Sequence, residues 1–335
     1  MGVATARRHG GPRSPAALAF LLGALLLAAV LGAAGCGNDS TTTITPQQVP
    51  GDPFAYDRDR PLRADEDVVG SGLGVVAEDI DFQSFDGELV PATLLSETEG
   101  SSRKPCVLFV PGLGNPLTVA QRLALALVGT GYRALTVEPR FHGSRTAGVS
   151  AEQAARNPQL LAQMLRGSVI DLRRALDYLV DRDLCIEDEA AYVGLSFGGI
   201  LGALLAGADA RIGAAALVVA GGDWRAFVEE SDVQVLLPEG IDTEAPERFE
   251  TALELLEPLD PVRWIGRAAP RPVLMINGTE DQVVPRESAT ALHEAAREPK
   301  QVFWFEGSHN PFVEAPADEV GDEISKFLDD WRSGL

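Results

Sequence analysis

Apolar positions along this chain fall into two patterns. Short continuous runs have the length and β-branched content of buried strands. They are "CVLFVPG" from Cys106, "YRALTVEP" from Tyr132, "AAYVGL" from Ala190, "GAAALVVAGG" from Gly213, "RPVLMING" from Arg271 and "QVFWFEG" from Gln301. Between them lie stretches with helical spacing. One is predicted over Leu117 to Gly129 and a long one near residues 158–181, where Leu161, Leu165, Val169, Leu172, Leu176 and Leu179 recur at intervals of four and three. A closing helix places Val320, Ile324, Phe327, Leu328 and Trp331 on one side. Before the first buried run, "DIDFQSFDGELVPATLLS" reads as a hairpin turning at Asp86-Gly87. Alternating strand and helix signals predict an α/β fold, with a mostly parallel central sheet and helices on both faces.

The rhythm breaks once. From Asp223 to Pro261 acids and apolar residues are mixed, which predicts a small helical insertion after the sixth strand. It is either a connecting excursion, or a cap (223–261) in which Trp224, Phe227 or Leu236 lines an acyl or alcohol pocket. "GSGLG" at Gly70 to Gly74 precedes no helical pattern and reads as a loop rather than a phosphate cradle.

The first residues belong to a different grammar. Arg7, Arg8 and Arg13 precede the apolar stretch Ala16 to Gly35, and Cys36 follows at once. A basic start, an apolar core and small residues before a cleavage point describe a secretion signal over residues 1–35. "GAAGC" resembles a bacterial lipobox, in which the Cys becomes a lipidated N-terminus; Ala33 stands where Leu is commonest. Ordinary cleavage with secretion, or an uncleaved anchor, are the alternatives. Residues 36–65 are polar and Pro- and Thr-rich without apolar period, and are expected to form a flexible tether. The folded domain is expected over 66–335. The expected location is the bacterial cell envelope, reached through a lipid anchor.

Composition narrows the function classes. Net charge is −21, which argues against nucleic acid as a partner, because phosphate binding needs clustered Lys and Arg. Such acidity is otherwise an ordinary solubility device. Three Cys and four His, without metal-ligand spacing, imply no metal, and no cofactor motif is present.

One motif carries chemistry. Gly194, Ser196 and Gly198 give G-x-S-x-G, short enough to arise by chance in a chain with 34 Gly. Its context decides: a buried-type strand precedes it and "GGILGALLAG" follows as a helix. A serine at such a turn is strained, and glycines two before and two after relieve the crowding. A serine hydroxyl also needs a base. His9 lies in the signal, His293 in a helical pattern as an expected surface residue, and His142 in "EPRFHGSR" as an expected structural residue. His309, in the "GSHN" loop after the last strand, is the candidate base. Asp281, after "VLMIN", is the candidate orienting acid; Glu280 and Asp223 are the competing acids.

These pieces, "VLFVPGLG", "EPRFHGSR", "VGLSFGG", "LMINGTEDQVVP" and "GSHNPF", together resemble the α/β-hydrolase fold family. The resemblance is nearest to its dienelactone hydrolase-like and serine esterase or peptidase branches, and covers residues 79 to 333. It implies Ser196 as nucleophile, His309 as base and Asp281 as acid, with oxyanion donors on the backbone N–H groups of Phe197 and Leu113. The chain departs from the family in carrying Pro111-Gly112 where His-Gly is common. The implied function is hydrolysis of a small-molecule carboxylic ester through an acyl-enzyme. A serine peptidase or amidase, which an N-terminal propeller would favour, and a non-catalytic binding protein are the alternatives; the chain after the signal leaves no room for a propeller. The same topology makes the strands after Cys106 and Cys185 parallel neighbours, and so implies that these two cysteines could be bridged.

Overall fold

The computed structural model describes residues 51–72, 74–98, 103–231, 246–314 and 319–334. The chain runs β1 (Asp65–Gly72), β2 (Val75–Gln83), β3 (Leu89–Glu97), β4 (Lys104–Val110), α1 (Leu117–Val128), β5 (Arg133–Val137), α2 (Ala151–Ala155), α3 (Pro158–Asp181) and β6 (Cys185–Leu195). It continues through α4 (Phe197–Ala208), β7 (Ile212–Val218), α5 (Trp224–Glu230), α6 (Pro246–Leu256), α7 (Pro261–Trp264) and β8 (Val273–Gly278). The last elements are α8 (Arg286–Ala295), β9 (Lys300–Phe305), α9 (Pro311–Glu314) and α10 (Glu319–Ser333). Among the described residues nine strands form one sheet in the order β1-β2-β3-β5-β4-β6-β7-β8-β9. The pairs from β5 to β9 are parallel, and β1, β2 and β3 add an antiparallel meander at one edge. No described helix is long and apolar enough to cross a membrane.

The continuous apolar runs follow from burial on both faces. Leu108 and Tyr192 point into a core shared with Leu172 and Leu176 of α3 and Leu204 of α4. Phe109 and Val193, one position along, point into the opposite core with Leu127 of α1 and Ile324 and Phe327 of α10. The α3 boundary is written locally: the Asn157 side chain accepts from the N–H groups of Gln159 and Leu160, and Pro158 takes the first turn.

The segment "EPRFHGSR" is tied down by buried charge. Asp171 on α3 accepts from Arg140 Nε at 3.1 Å and from Arg145 Nη2 at 2.8 Å, while Arg145 Nη1 donates to the Glu138 carbonyl at 2.7 Å. The His142 Nδ1–H donates to the Arg140 carbonyl at 2.9 Å, and burial pushes this imidazole below its ordinary pKa.

Four expectations need correction. Gly70 and Gly72 lie in β1 rather than in a loop, opposite Ala77 and Val75 of β2. This edge strand is exposed along its whole length, so no apolar alternation marked it. Its presence places the insertion after the seventh strand. The expected tether ends earlier than residue 65. Phe54 is fully buried with its ring 4.7 Å from that of Trp264, Arg173 Nη1 donates to the Phe54 carbonyl at 2.7 Å, and Tyr56 O–H donates to Asp177 at 2.8 Å. Two aromatic rings in a polar stretch are enough to dock it. His293 is not a surface residue. It is buried, its Nε2–H donates to Asn277 Oδ1 at 2.9 Å, and Asn277 in turn donates to the Ala220 carbonyl at 2.9 Å. Burial, reinforced by the nearby Lys300 cation, pushes His293 down to about 4. The expected signal (1–35), Cys36 and residues up to 50 lie outside the described residues.

Candidate active site

The C-terminal ends of β4, β6, β8 and β9 converge, and the candidate side chains stand there. Ser196 joins β6 to α4 with φ 54° and ψ −115°, a region a side chain rarely adopts. Its N–H is held by the Val218 carbonyl at 2.8 Å and its carbonyl accepts from Ile200. The two flanking glycines are required by space. A Cβ on Gly194 would stand 2.3 Å from the Gly198 carbonyl oxygen, and one on Gly198 would stand 2.2 Å from that of Val110. Strand and helix could not approach this closely with any other residue, so the motif is a packing device that lifts Ser196 above the sheet.

His309 reaches Ser196 from the loop after β9. Its Nε2 lies 2.8 Å from Ser196 Oγ, and its Nδ1 lies 2.8 Å from Asp281 Oδ2. With the Nδ1–H donated to the carboxylate, Nε2 is left as the acceptor for the serine proton. Asp281 is itself fixed: Oδ1 accepts the N–H groups of Val283 and Val284, each at 2.9 Å. Its side chain is 2% exposed against 21% for His309, so the acid is shielded and the base faces the cleft. The competing acids are placed elsewhere. Glu280 is exposed, and the Asp223 carboxylate caps α5 by accepting from the Ala226 N–H at 3.2 Å.

The implied oxyanion donors belong to two segments next to Ser196. Phe197 opens α4, where N–H groups have no partner within the helix and the helix dipole is positive. Leu113 follows Gly112, whose Cβ position would lie 3.4 Å from Ser196 Cβ, so this loop passes directly against the serine. The His142 ring stacks on that of Phe197 with centroids 5.6 Å apart, behind the site rather than in it.

An apolar pocket opens from Ser196. Ile200 of α4, Trp224 and Phe227 of α5 and Leu256 of α6 contribute walls, as do Val283 and Val284 beside the acid. The insertion therefore reaches the serine. Leu236, the third expected pocket residue, lies outside the described residues. The α5 wall is anchored at both ends. The Asp260 carboxylate accepts N–H groups of Asp223 at 2.9 Å, Trp224 at 2.9 Å and Val262 at 3.0 Å, and Ser231 Oγ donates to the carbonyls of Gln282 and Val283 at 3.3 Å. Asp260 is marked in the sequence only by Asp-Pro at 260–261, a helix N-cap signature.

Comparison with known proteins gives the family and the fold. Over residues 118–306 the chain matches the prolyl oligopeptidase family, a segment that carries the G-x-S-x-G turn and Asp281. Esterase YjfP of Escherichia coli strain K12 is 25% identical over 195 residues, 58% of this chain and 75% of that protein. Two solved acetyl xylan esterases share the fold. That of Paenibacillus sp. R4 has a TM-score of 0.68 at 19% identity, over 81% of this chain and 89% of its own. Acetyl xylan esterase 1 of Thermoanaerobacterium sp. has a TM-score of 0.70 at 16% identity, over 83% and 91%. With the match extending over more than half its length and the sheet order seen above, the chain belongs to the prolyl oligopeptidase family and has the α/β-hydrolase fold.

Proposed function

We propose that the protein is a serine esterase that cleaves small-molecule carboxylic esters through an acyl-enzyme. The observation that carries this reading is the hydrogen-bonded chain Ser196–His309–Asp281, at 2.8 Å in each step, mounted on a strained turn beside an apolar pocket. In the proposed reaction His309 Nε2 takes the Ser196 proton as Oγ attacks the ester carbonyl, and Asp281 holds the resulting imidazolium. The N–H groups of Phe197 and Leu113 are assigned to the oxyanion, where one such donor contributes about 3 kcal/mol in the transition state. His309 then gives its proton to the leaving alcohol. A water attacks the acyl group by the same route, and Ser196 is freed.

Peptide or amide hydrolysis is the second reading, favoured by the family to which the chain belongs. Similarity to Esterase YjfP favours the ester. p-Nitrophenyl esters run beside aminoacyl p-nitroanilides separate the two. Turnover of the esters with anilide turnover at least a hundredfold lower is expected, and activity on the anilides alone would replace the esterase reading with the peptidase one.

We further propose that the enzyme is exported and held on a membrane by lipid on Cys36. The support is the sequence pattern: three Arg, an apolar core and small residues set directly against this Cys. Multiple acyl chains anchor stably where one does not. Cys36→Ala should release the protein from the membrane fraction, and mass spectrometry finding an unmodified Cys36 on the mature protein would remove the anchor.

A further inference from the structure

We infer that the pocket beside Ser196 is an acyl-chain site that selects substrates with an alkyl acyl group of several carbons over acetyl esters, and that Phe227 on the insertion sets its depth. The inference rests on the esterase reading and adds to it the class of acyl group.

The first step is stereochemical. A carbonyl carbon attacked by Ser196 carries two substituents besides its oxygen. The leaving alcohol must lie beside His309 Nε2, because that nitrogen delivers its proton. The acyl substituent must then point away from the histidine. The pocket is reached from Ser196 and walled by α4, α5, α6 and the residues after Asp281, and among the described residues neither His309 nor its loop lines it. It therefore lies on the acyl side.

The second step is chemical. Among the described lining residues every side chain is apolar apart from the Ser196 hydroxyl and the indole N–H of Trp224, which is itself buried. A sugar or other polyhydroxyl group would lose its hydrogen bonds to water there and find few in return. An alkyl chain loses nothing and is removed from water. Each buried methylene contributes about 0.8 kcal/mol, which is roughly fourfold in kcat/KM. An acetyl group, with one methyl, would leave most of this surface unused.

The third step concerns the wall. Phe227 projects from a helix stapled to Asp260 at one end and to the Gln282 and Val283 carbonyls at the other. A wall fixed in this way limits length, where a loose one would yield to any chain. Ala155, on α2, lines the same pocket with a methyl group, so a larger side chain there would project into it.

The test uses p-nitrophenyl acetate, butyrate, hexanoate, octanoate and decanoate with the full-length protein. Wild type should prefer butyrate or hexanoate over acetate by tenfold or more in kcat/KM. Phe227→Ala should move the optimum to longer chains and raise the decanoate-to-butyrate ratio at least tenfold; Ala155→Leu should move it to shorter ones. Phe227→Leu, a smaller change, serves if the alanine variant does not fold. Acetate as the best wild-type substrate, or a chain-length profile unmoved by any of these substitutions, would overturn the inference. The underlying reading fails differently. If no ester in the series turns over and a fluorophosphonate does not label Ser196, the esterase assignment falls, and the acyl site with it; if labelling and acetate turnover persist without length preference, only the acyl site falls.

Discussion

Ser196→Ala should lower ester turnover by about 10⁴-fold or more, to the residue of rate that binding and oxyanion donors alone supply. A fluorophosphonate should label the wild type and leave this variant untouched. The loss should be catalytic and not structural. Ser196 holds φ 54° through its backbone, by the Val218 and Ile200 hydrogen bonds, and alanine keeps both the Cβ and these bonds. The strain at this residue, of the order of 1 kcal/mol or more, is thus equal in the two proteins, and their melting temperatures should be close. Ser196→Gly offers a control that a structural role would not produce: it should be equally inactive and more stable, because glycine adopts positive φ without strain. His309→Ala should fall by a similar factor, since the hydroxyl 2.8 Å away loses its base. Labelling that persists in Ser196→Ala would move the nucleophile elsewhere in the chain.

The sheet and the site were legible to different depths, for physical reasons. Strands buried on both faces announce themselves as continuous apolar runs, and β4, β6, β7 and β8 fall where such runs stand. The edge strand β1 buries nothing, so only pairing with β2 defines it, and pairing leaves no mark in one strand's own residues. Ser196, His309 and Asp281 each follow a strand end, and it is the resemblance to the α/β-hydrolase fold family, not a local pattern, that singles them out from the competing acids and histidines. The pocket was less legible. Ile200, Ala155 and Leu256 are ordinary apolar residues of helical faces, and what makes them a pocket is the distance between three helices, which no local pattern encodes. His293 shows the converse error. A polar residue in an amphipathic helix reads as exposed, yet Asn277 on β8 supplies the partner that lets it be buried. Asp260 was missed for a similar reason: its three N–H partners come from Asp223, Trp224 and Val262, two of them more than thirty positions away.

Replacing Cys106 and Cys185 together by alanine should lower the melting temperature by roughly 10 °C without changing turnover of the folded enzyme. The two sulfurs are bonded in the structure, with Cα atoms 5.5 Å apart and a sequence separation of 79. Closing a loop of that length restricts the unfolded chain by about 4 kcal/mol on chain-entropy grounds, and for a domain of this size each kcal/mol moves the midpoint by a few degrees. The site should not feel the change. Cys106 pairs with the β6 residue Ala190, and Val110, four residues on, pairs with Gly194. At about 3.3 Å per residue the bridge lies some 13 Å from the strand ends that carry the serine, toward the N-terminal edge of the sheet. Such a bond persists in an oxidising compartment, which is where the export proposed above would send the chain. Thiol titration of the denatured, unreduced protein decides the matter: Cys106 and Cys185 should both be silent until reductant is added, and two reactive thiols at these positions in exported protein would exclude the bridge.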